Sequence, residues 1–436
     1  MRYVILGTGV AGIAAMEAIR SVDAAGEIVL IGDDPHAYYS RPGLAYYLTG
    51  ELSEAHLFPY KRADYQRMRI RYLRDRAVKI NPEGRLVVLQ QNGALGYDRL
   101  LVAVGSQAVP LTIPGADMEG VMKLDHLEDA RRIVKLARRA KSAVVIGGGI
   151  TALEIVEGLA ANRTRVHYLM RGDRYWSNVL DADESRIVEE RLRHEGVQIH
   201  KHAEAVEILG KRGKVKGVRL ADGRQLKCDL VGYGIGIKPR TTLARETGLT
   251  VERGIMVDEG LRTNIPNIFA AGDVAQVYDP LTGKAMVDSL WNPAREQGHV
   301  AGLNMAGQNQ TYRKLAPFNV TRLAGLTTTI IGTVGSGRDE DLVGIARGDS
   351  ETWRSLPDAI AAQSGFDVNR LRLLIGQNSL LGAIVMGDQT LSRPLQQLIV
   401  SQVDISPIRD RLLKPDAPIA DLIAHFWTTW RTQYAQ

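Results

Sequence analysis

Cysteine occurs once in the 436 residues, at Cys228. A lone thiol excludes an intramolecular disulfide, a dithiol relay and any thiolate metal cluster built from this chain alone. No apolar run approaches the roughly 18 to 20 residues that a membrane helix requires. Nothing resembling a signal peptide precedes the first apolar run, which follows Met1-Arg2 directly, so the expected compartment is the cytoplasm. Nor is there a strong excess of one charge: the net +6 fits a solubility feature better than the footprint of a nucleic-acid binder.

What the chain does have is glycine, placed with a pattern. Val4-Ile5-Leu6 runs into Gly7-Thr8-Gly9-Val10-Ala11-Gly12 and then into Ile13 to Arg20, which has helical apolar spacing. That order predicts strand, tight turn and helix. The first glycine allows the turn, the second lets backbone amides approach a pyrophosphate, and the third lets helix pack on strand. The helix N-terminus then faces the phosphates. A second apolar strand, Glu27 to Ile31, ends in Asp33-Asp34, where an acid can accept a ribose diol. Asp34, which precedes Pro35, is the preferred one. Arg41, in Tyr39-Ser40-Arg41-Pro42-Gly43, is placed to pair with a phosphate or stack on a ring. Short strands are expected from Ala77-Val78 to Leu89, followed by a buried strand ending in Ala103-Val104-Gly105-Ser106.

About 140 residues downstream the logic repeats in Val144-Val145-Ile146-Gly147-Gly148-Gly149-Ile150-Thr151-Ala152-Leu153-Glu154. Two such units in one chain predict two bound dinucleotides. The strand after the second turn, Arg165 to Met170, ends without a carboxylate and meets Arg171-Gly172-Asp173-Arg174. Two guanidiniums in place of a diol acceptor favour a 2′-phosphate, hence NADPH over NADH. Asp173 competes with that reading by reaching the ribose itself or by neutralising one arginine.

Glu128 to Lys141 predicts an amphipathic helix with Arg131, Arg132, Lys135, Arg138 and Arg139 outward. This is either a solvated face or a surface that steers an acidic electron carrier. Cys228 precedes the strand leading to Gly234-Ile235-Gly236 and reads as inert packing. Ile268 to Ala271 should form a strand ending in Gly272-Asp273, and Trp291 to Gly298 should open a helix containing Ala294 and Gln297. From Phe318 onward the apolar runs Thr327 to Gly332, Leu371 to Ile375 and Leu381 to Met386 suggest a β-meander followed by helices, as a separate α+β module. The aromatic amphipathic helix from Ile419 to Trp430 should pack on its own module or on a second copy, giving a homodimer through this region.

These elements, in this order, resemble the FAD-dependent pyridine-nucleotide oxidoreductases of the rubredoxin-reductase type, the nitrite reductase large-subunit flavoprotein included. The resemblance implies an α/β chain of two Rossmann-like dinucleotide-binding domains. An NAD(P)H-binding domain (113–240) would be inserted into a FAD-binding domain (1–112 and 241–316), with a C-terminal α+β interface domain (317–436) following. It implies FAD contacts at the first glycine turn, Ala103, Gly105, Gly236 and Gly272, with Asp34 on the adenosine ribose, Arg41 on the pyrophosphate side and Val78 at the adenine. Asp273 would hold the ribityl chain, while Ala294 and Gln297 edge the ring. Gly147, Gly149, Arg171 and Arg174 would hold the nicotinamide cofactor, with Glu154 near where nicotinamide meets flavin.

The sequence also departs from its relatives. The loop that carries a redox cysteine in disulfide-reducing members reads Arg41-Pro42-Gly43-Leu44-Ala45-Tyr46-Tyr47 here. Tyr46 replaces the lysine of many ferredoxin-reducing members, and Val104 replaces the usual threonine. The expected reaction is hydride transfer from NADPH or NADH to FAD, then electron transfer to an iron–sulfur or rubredoxin-like protein, with no catalytic nucleophile, metal or nucleic acid involved. A quinone or other small oxidant is the alternative acceptor, and a redox sensor or scaffold the alternative role.

Overall fold

The computed structural model describes residues 1–280, 283–334, 343–347 as backbone, 369–415 and 417–434. The chain begins with β1 (Arg2–Leu6), α1 (Val10–Val22), β2 (Glu27–Gly32), β3 (Ile70–Arg74), β4 (Arg99–Val102) and β5 (Ser106–Ala108). It continues through β6 (Ser142–Ile146), α2 (Ile150–Ala161), β7 (Arg165–Leu169), α3 (Ala182–His194), β8 (Gln198–His200), β9 (Leu230–Tyr233) and β10 (Ile237–Pro239). Then follow β11 (Ile268–Ala270), α4 (Trp291–Met305), β12 (Phe318–Leu323), β13 (Leu326–Gly332), β14 (Val343–Arg347), β15 (Arg370–Ile375) and β16 (Leu380–Met386). Three helices close the chain: α5 (Ser392–Val400), α6 (Ser406–Leu412) and α7 (Ile419–Tyr434).

Contacts divide the chain into two units. One holds Met1–Leu111, Met122–Lys135 and Ile235–Lys314; the other holds Thr112–Val121, Leu136–Gly234 and Leu315–Gln436. In the first, a parallel sheet runs in the order β11-β4-β1-β2-β3, with Val4 registered between Val29 and Leu100. Its central strands are continuous apolar runs because a parallel sheet is covered on both faces, and Val4, Ile5, Leu30 and Leu101 are fully buried. The order reverses direction on either side of β1, and ligands of open α/β sheets bind at such a switch point.

The second unit contains the parallel order β8-β7-β6-β9, with Val144 between His167 and Val231. The same unit includes an antiparallel sheet, β12-β13-β16-β15-β14. This corrects the expected meander: β13 pairs with β16, and Leu371 to Ile375 lies one strand further out. Uniformly apolar strands carry no signal of which neighbour they choose, so local pattern could not order them.

The core of the antiparallel sheet and α5 to α7 includes Leu373, Val385, Leu395, Leu412 and Ile423. Helix α7 buries Ile419, Ala420 and Ile423 and packs Phe426, Trp427 and Trp430 against that core. Trp427 Nε1 donates to Gln397 Oε1 on α5 at 2.7 Å, so the aromatic face is engaged within its own module. The helix expected over Glu128 to Lys141 spans Leu127–Ala137, and Arg131 on it is paired with Glu54 and Glu128. No helix among the described residues is long and apolar enough to cross a membrane.

Candidate functional site

At the carboxyl end of β1, Gly7 adopts φ +117°, and an added Cβ would lie 2.1 Å from the Ala103 carbonyl oxygen. Gly12 sits beneath the turn, where a Cβ would come within 2.1 Å of the Gly7 oxygen. Gly9 is different: it caps α1, and a Cβ there would meet no atom within 4 Å. It opens onto a cleft of about 500 Å³ at the sheet's switch point. Among the predicted residues, Gly7, Gly9, Val10, Ala11, Asp34 and Arg41 line this cleft together with Ala103, Gly105, Gly272, Asp273 and Ala294.

Four predicted residues of this unit lie off the lining. Gly12 supports the turn from below. Gly236, at φ +119°, leads into β10, which pairs antiparallel with β5 and brings Lys238 to Leu243 to the cleft. Val78 is exposed, and its neighbour Ala77 reaches the cleft instead. Gln297 is fully buried and accepts a hydrogen bond from the Gly272 amide at 2.8 Å.

The two candidate ribose acids separate cleanly. Asp33 is paired with Arg76 at 2.8 Å. Asp34 accepts from the His36 amide at 2.9 Å and the Tyr39 hydroxyl at 3.1 Å, with His126 Nδ1 at 3.5 Å. Burial acts to raise the Asp34 carboxyl, but these three partners outweigh it and hold it below its ordinary value. Around the same imidazole stand the guanidiniums of Arg41, 3.3 Å from Nδ1, and Arg240, 3.2 Å from Nε2. Asp125 lies 3.5 Å away. The cleft thus offers amides at a helix N-terminus, two guanidiniums and an ionised acid, a set suited to a phosphorylated ribose. Asp273 is mostly buried and accepts from the Ser106 hydroxyl at 2.5 Å; burial raises its carboxyl despite that bond.

Sequence reading did not single out Ser106, His126, Arg76 or Arg240. Ser106 stood at the end of the Ala103-Val104-Gly105-Ser106 motif, and Arg240 lies four residues beyond Gly236. His126 gave no signal, being a lone histidine far along the chain from Asp34.

In the second unit Gly147 has φ +141°, and a Cβ would lie 2.2 Å from the Gly234 oxygen. Gly149 caps α2 with open space around it. Arg171 is exposed, whereas Arg174 is bound to Asp173 at 2.9 Å and to the Ser177 carbonyl at 3.3 Å. Asp173 therefore neutralises one of the two arginines, and Arg171 is left as the exposed cation of the pair. Cys228 is buried, and burial pushes its thiol up to about 12, far from the range of a reactive thiolate.

Glu154, half-buried in the second turn of α2, is pushed up to about 8 by burial and then by the Glu157 carboxyl. Between its ordinary 4.5 and about 8 the folded chain keeps a proton that the unfolded chain has lost. Stability must then fall as pH rises through that window and level off above it. Glu154→Gln removes this loss. Thermal melts of the nicotinamide-free protein should show the variant's advantage growing from about pH 5 to pH 8; parallel profiles for variant and parent would contradict the assignment.

The profile of the pyridine nucleotide-disulphide oxidoreductase family matches residues 1–298. The biphenyl dioxygenase system ferredoxin–NAD(+) reductase component of Paraburkholderia xenovorans LB400 is 31% identical over 374 residues, covering 85% of this chain and 87% of that protein. Nitrite reductase [NAD(P)H] of Bacillus subtilis 168 is 27% identical over 408 residues, 93% of this chain and 48% of that protein. The chain thus spans about half the length of that relative, and 51% of the assimilatory nitrate reductase electron transfer subunit of the same organism. The crystal structure of the ferredoxin reductase for the CYP199A2 system from Rhodopseudomonas palustris superposes with a TM-score of 0.85 at 25% identity, covering 96% of this chain and 99% of that one. The chain belongs to the pyridine nucleotide-disulphide oxidoreductase family, whose members are flavoproteins that bind FAD and use NADH or NADPH.

Proposed function

We propose that this chain draws reducing equivalents from NADPH, with NADH as the lesser donor, and delivers them to an external iron–sulfur or rubredoxin-like protein or a redox subunit, without a cysteine relay. The observation that carries the reading is the repeated strand, glycine turn and helix, each with a helix-capping glycine that faces open space, at Gly9 and Gly149. FAD, when bound, supplies the chemistry, accepting hydride from the nicotinamide and releasing electrons to the acceptor.

The chain's own residues bind and orient. Residues 1–112 and 241–316 form the FAD-binding part, in which the Gly7 to Gly12 turn and Arg41 hold the pyrophosphate. Asp34 takes the adenosine ribose, with Ala77, the neighbour of Val78, at the adenine, and Asp273 takes the ribityl hydroxyls. Ala103, Gly105 and Gly272 shape the cleft wall, Gly236 leads into the strand beside it, and Ala294 borders the ring, with Gln297 behind it on the Gly272 amide. The cleft's size and its amide, guanidinium and carboxylate set fit that group. Within 113–240, residues 136–234 bind the nicotinamide cofactor, while 122–135 and 235–240 belong to the unit that holds the FAD cleft. There Gly147 and Gly149 receive its pyrophosphate, Arg171 its 2′-phosphate with Arg174 behind, and Glu154 stands by the nicotinamide. Residues 317–436 serve an interface. The buried, high-pKa Cys228 supports a route free of thiol chemistry. Relatives that reduce rubredoxin, ferredoxin or other electron-transfer partners support the acceptor class.

Anaerobic titration tests the donor half: NADPH should bleach the visible flavin band, and a band that neither nicotinamide bleaches refutes it. Arg171→Glu should lower kcat/KM for NADPH relative to NADH by about ten- to a hundredfold, the worth of one charge-assisted phosphate contact. An unchanged ratio removes the preference for NADPH. Sustained NADPH oxidation with a ferredoxin or a dye tests the acceptor half, and absence of turnover with both would remove it.

A further inference from the structure

Strand β15 carries two arginines, Arg370 and Arg372, in an otherwise apolar run, and both are buried. Two residues apart on a strand, they share one face, and buried cations persist only where they are paired. Their carboxylate partners lie at the N-terminus of α3. There Asp181 and Glu184 form a reciprocal capping box, Glu184 N donating to Asp181 Oδ1 at 2.8 Å and Asp181 N to Glu184 Oε2 at 2.9 Å. Each carboxylate has one oxygen to spare. Arg370 takes Asp181 Oδ2 at 3.1 Å, and Arg372 Nε takes Glu184 Oε1 at 2.8 Å. The rest of the Arg372 fork donates to the Val179 carbonyl at 2.7 Å and the Val334 carbonyl at 2.9 Å.

Val179 lies near the end of the loop that runs from Arg171 to Asp181. The middle of that loop is tied to the second glycine turn, since the Trp176 amide donates to the Gly148 carbonyl at 3.1 Å. One continuous span is therefore gripped at the glycine turn and, further along, by a strand of the antiparallel sheet. We propose that Arg372, assisted by Arg370, is a positioning residue for the nicotinamide cofactor, holding the 171–181 loop in the shape that receives the cofactor's adenosine-phosphate end. This rests on the reading that Arg171 meets that phosphate. Without the fork, the loop must be ordered by the cofactor itself, which weakens binding and leaves the subsequent chemistry alone.

The test is made on FAD-loaded enzyme, with kinetics in both nicotinamides and a dye acceptor. Arg372→Met should raise KM for NADPH about tenfold, with kcat within about twofold. Affinity for 2′,5′-ADP should weaken by the same factor, with flavin content unchanged. Arg372→Lys, which keeps a charge opposite Glu184 but loses the planar fork, should fall between. Because Arg372→Met leaves the Glu184 charge buried and unpaired, the double variant Arg372→Met/Glu184→Gln guards against misfolding; a glutamine still completes the capping box. Unchanged KM and 2′,5′-ADP affinity in either folded variant overturns the proposal, as does a loss of kcat in step with flavin. Arg171→Glu separates the two failures. If it raises KM for NADPH while the Arg372 variants do not, the clamp alone falls. If neither does, the loop does not meet the cofactor, and both readings fall.

Discussion

Gly9→Glu should purify as a folded, colourless protein. Gly9 has φ −76° and ψ 179°, a conformation open to any residue, and an added side chain meets no neighbour within 4 Å of its Cβ. The fold therefore loses little. The new carboxylate stands at the N-terminus of α1, inside the cleft, where amides and the positive end of the helix would meet a pyrophosphate. Two like charges about 4 Å apart at an effective dielectric near 20 repel by about 4 kcal/mol, roughly a thousandfold in affinity. Flavin content by absorbance, with thermal melting compared against flavin-stripped parent, checks it. A yellow variant would mean that the pyrophosphate lies elsewhere.

The mirror substitution should separate the two cofactors. Gly149→Glu sits at the cap of α2, with φ −116°, ψ −174° and an open Cβ position. The protein should stay yellow and be bleached by dithionite, yet NADPH and NADH should reduce it about a thousandfold more weakly by the same repulsion. Normal bleaching by either nicotinamide would dismiss the second glycine turn as a cofactor site. Together the pair assigns one nucleotide to each turn.

The glycine turns were legible because their chemistry is local. A tight approach such as that of Gly7 to Ala103 forbids a side chain, and the flanking apolar runs announce strand and helix within a few residues. The Gly-Asp after β11 and the acid after β2 were legible for the same reason: each follows the end of a buried strand. The preference for Asp34 over Asp33 has a tertiary counterpart, since Arg76 occupies Asp33 while Tyr39 and His126 gather around Asp34. His126 itself was invisible, because an isolated histidine in a polar stretch has no periodicity to betray it. The role of Asp173 was readable only as a competition. Geometry decided it, placing Asp173 on Arg174 and leaving Arg171 exposed.

From sequence alone came the lone thiol, the two glycine turns and the α/β alternation, all properties carried by residues that are near neighbours along the chain. Tertiary structure alone chose the order β12-β13-β16-β15-β14 and set Arg372 on Glu184, 188 residues away. The reason is physical: apolar strands and long charged side chains accept many partners of equal local merit, and only closure of the whole chain makes one partner available.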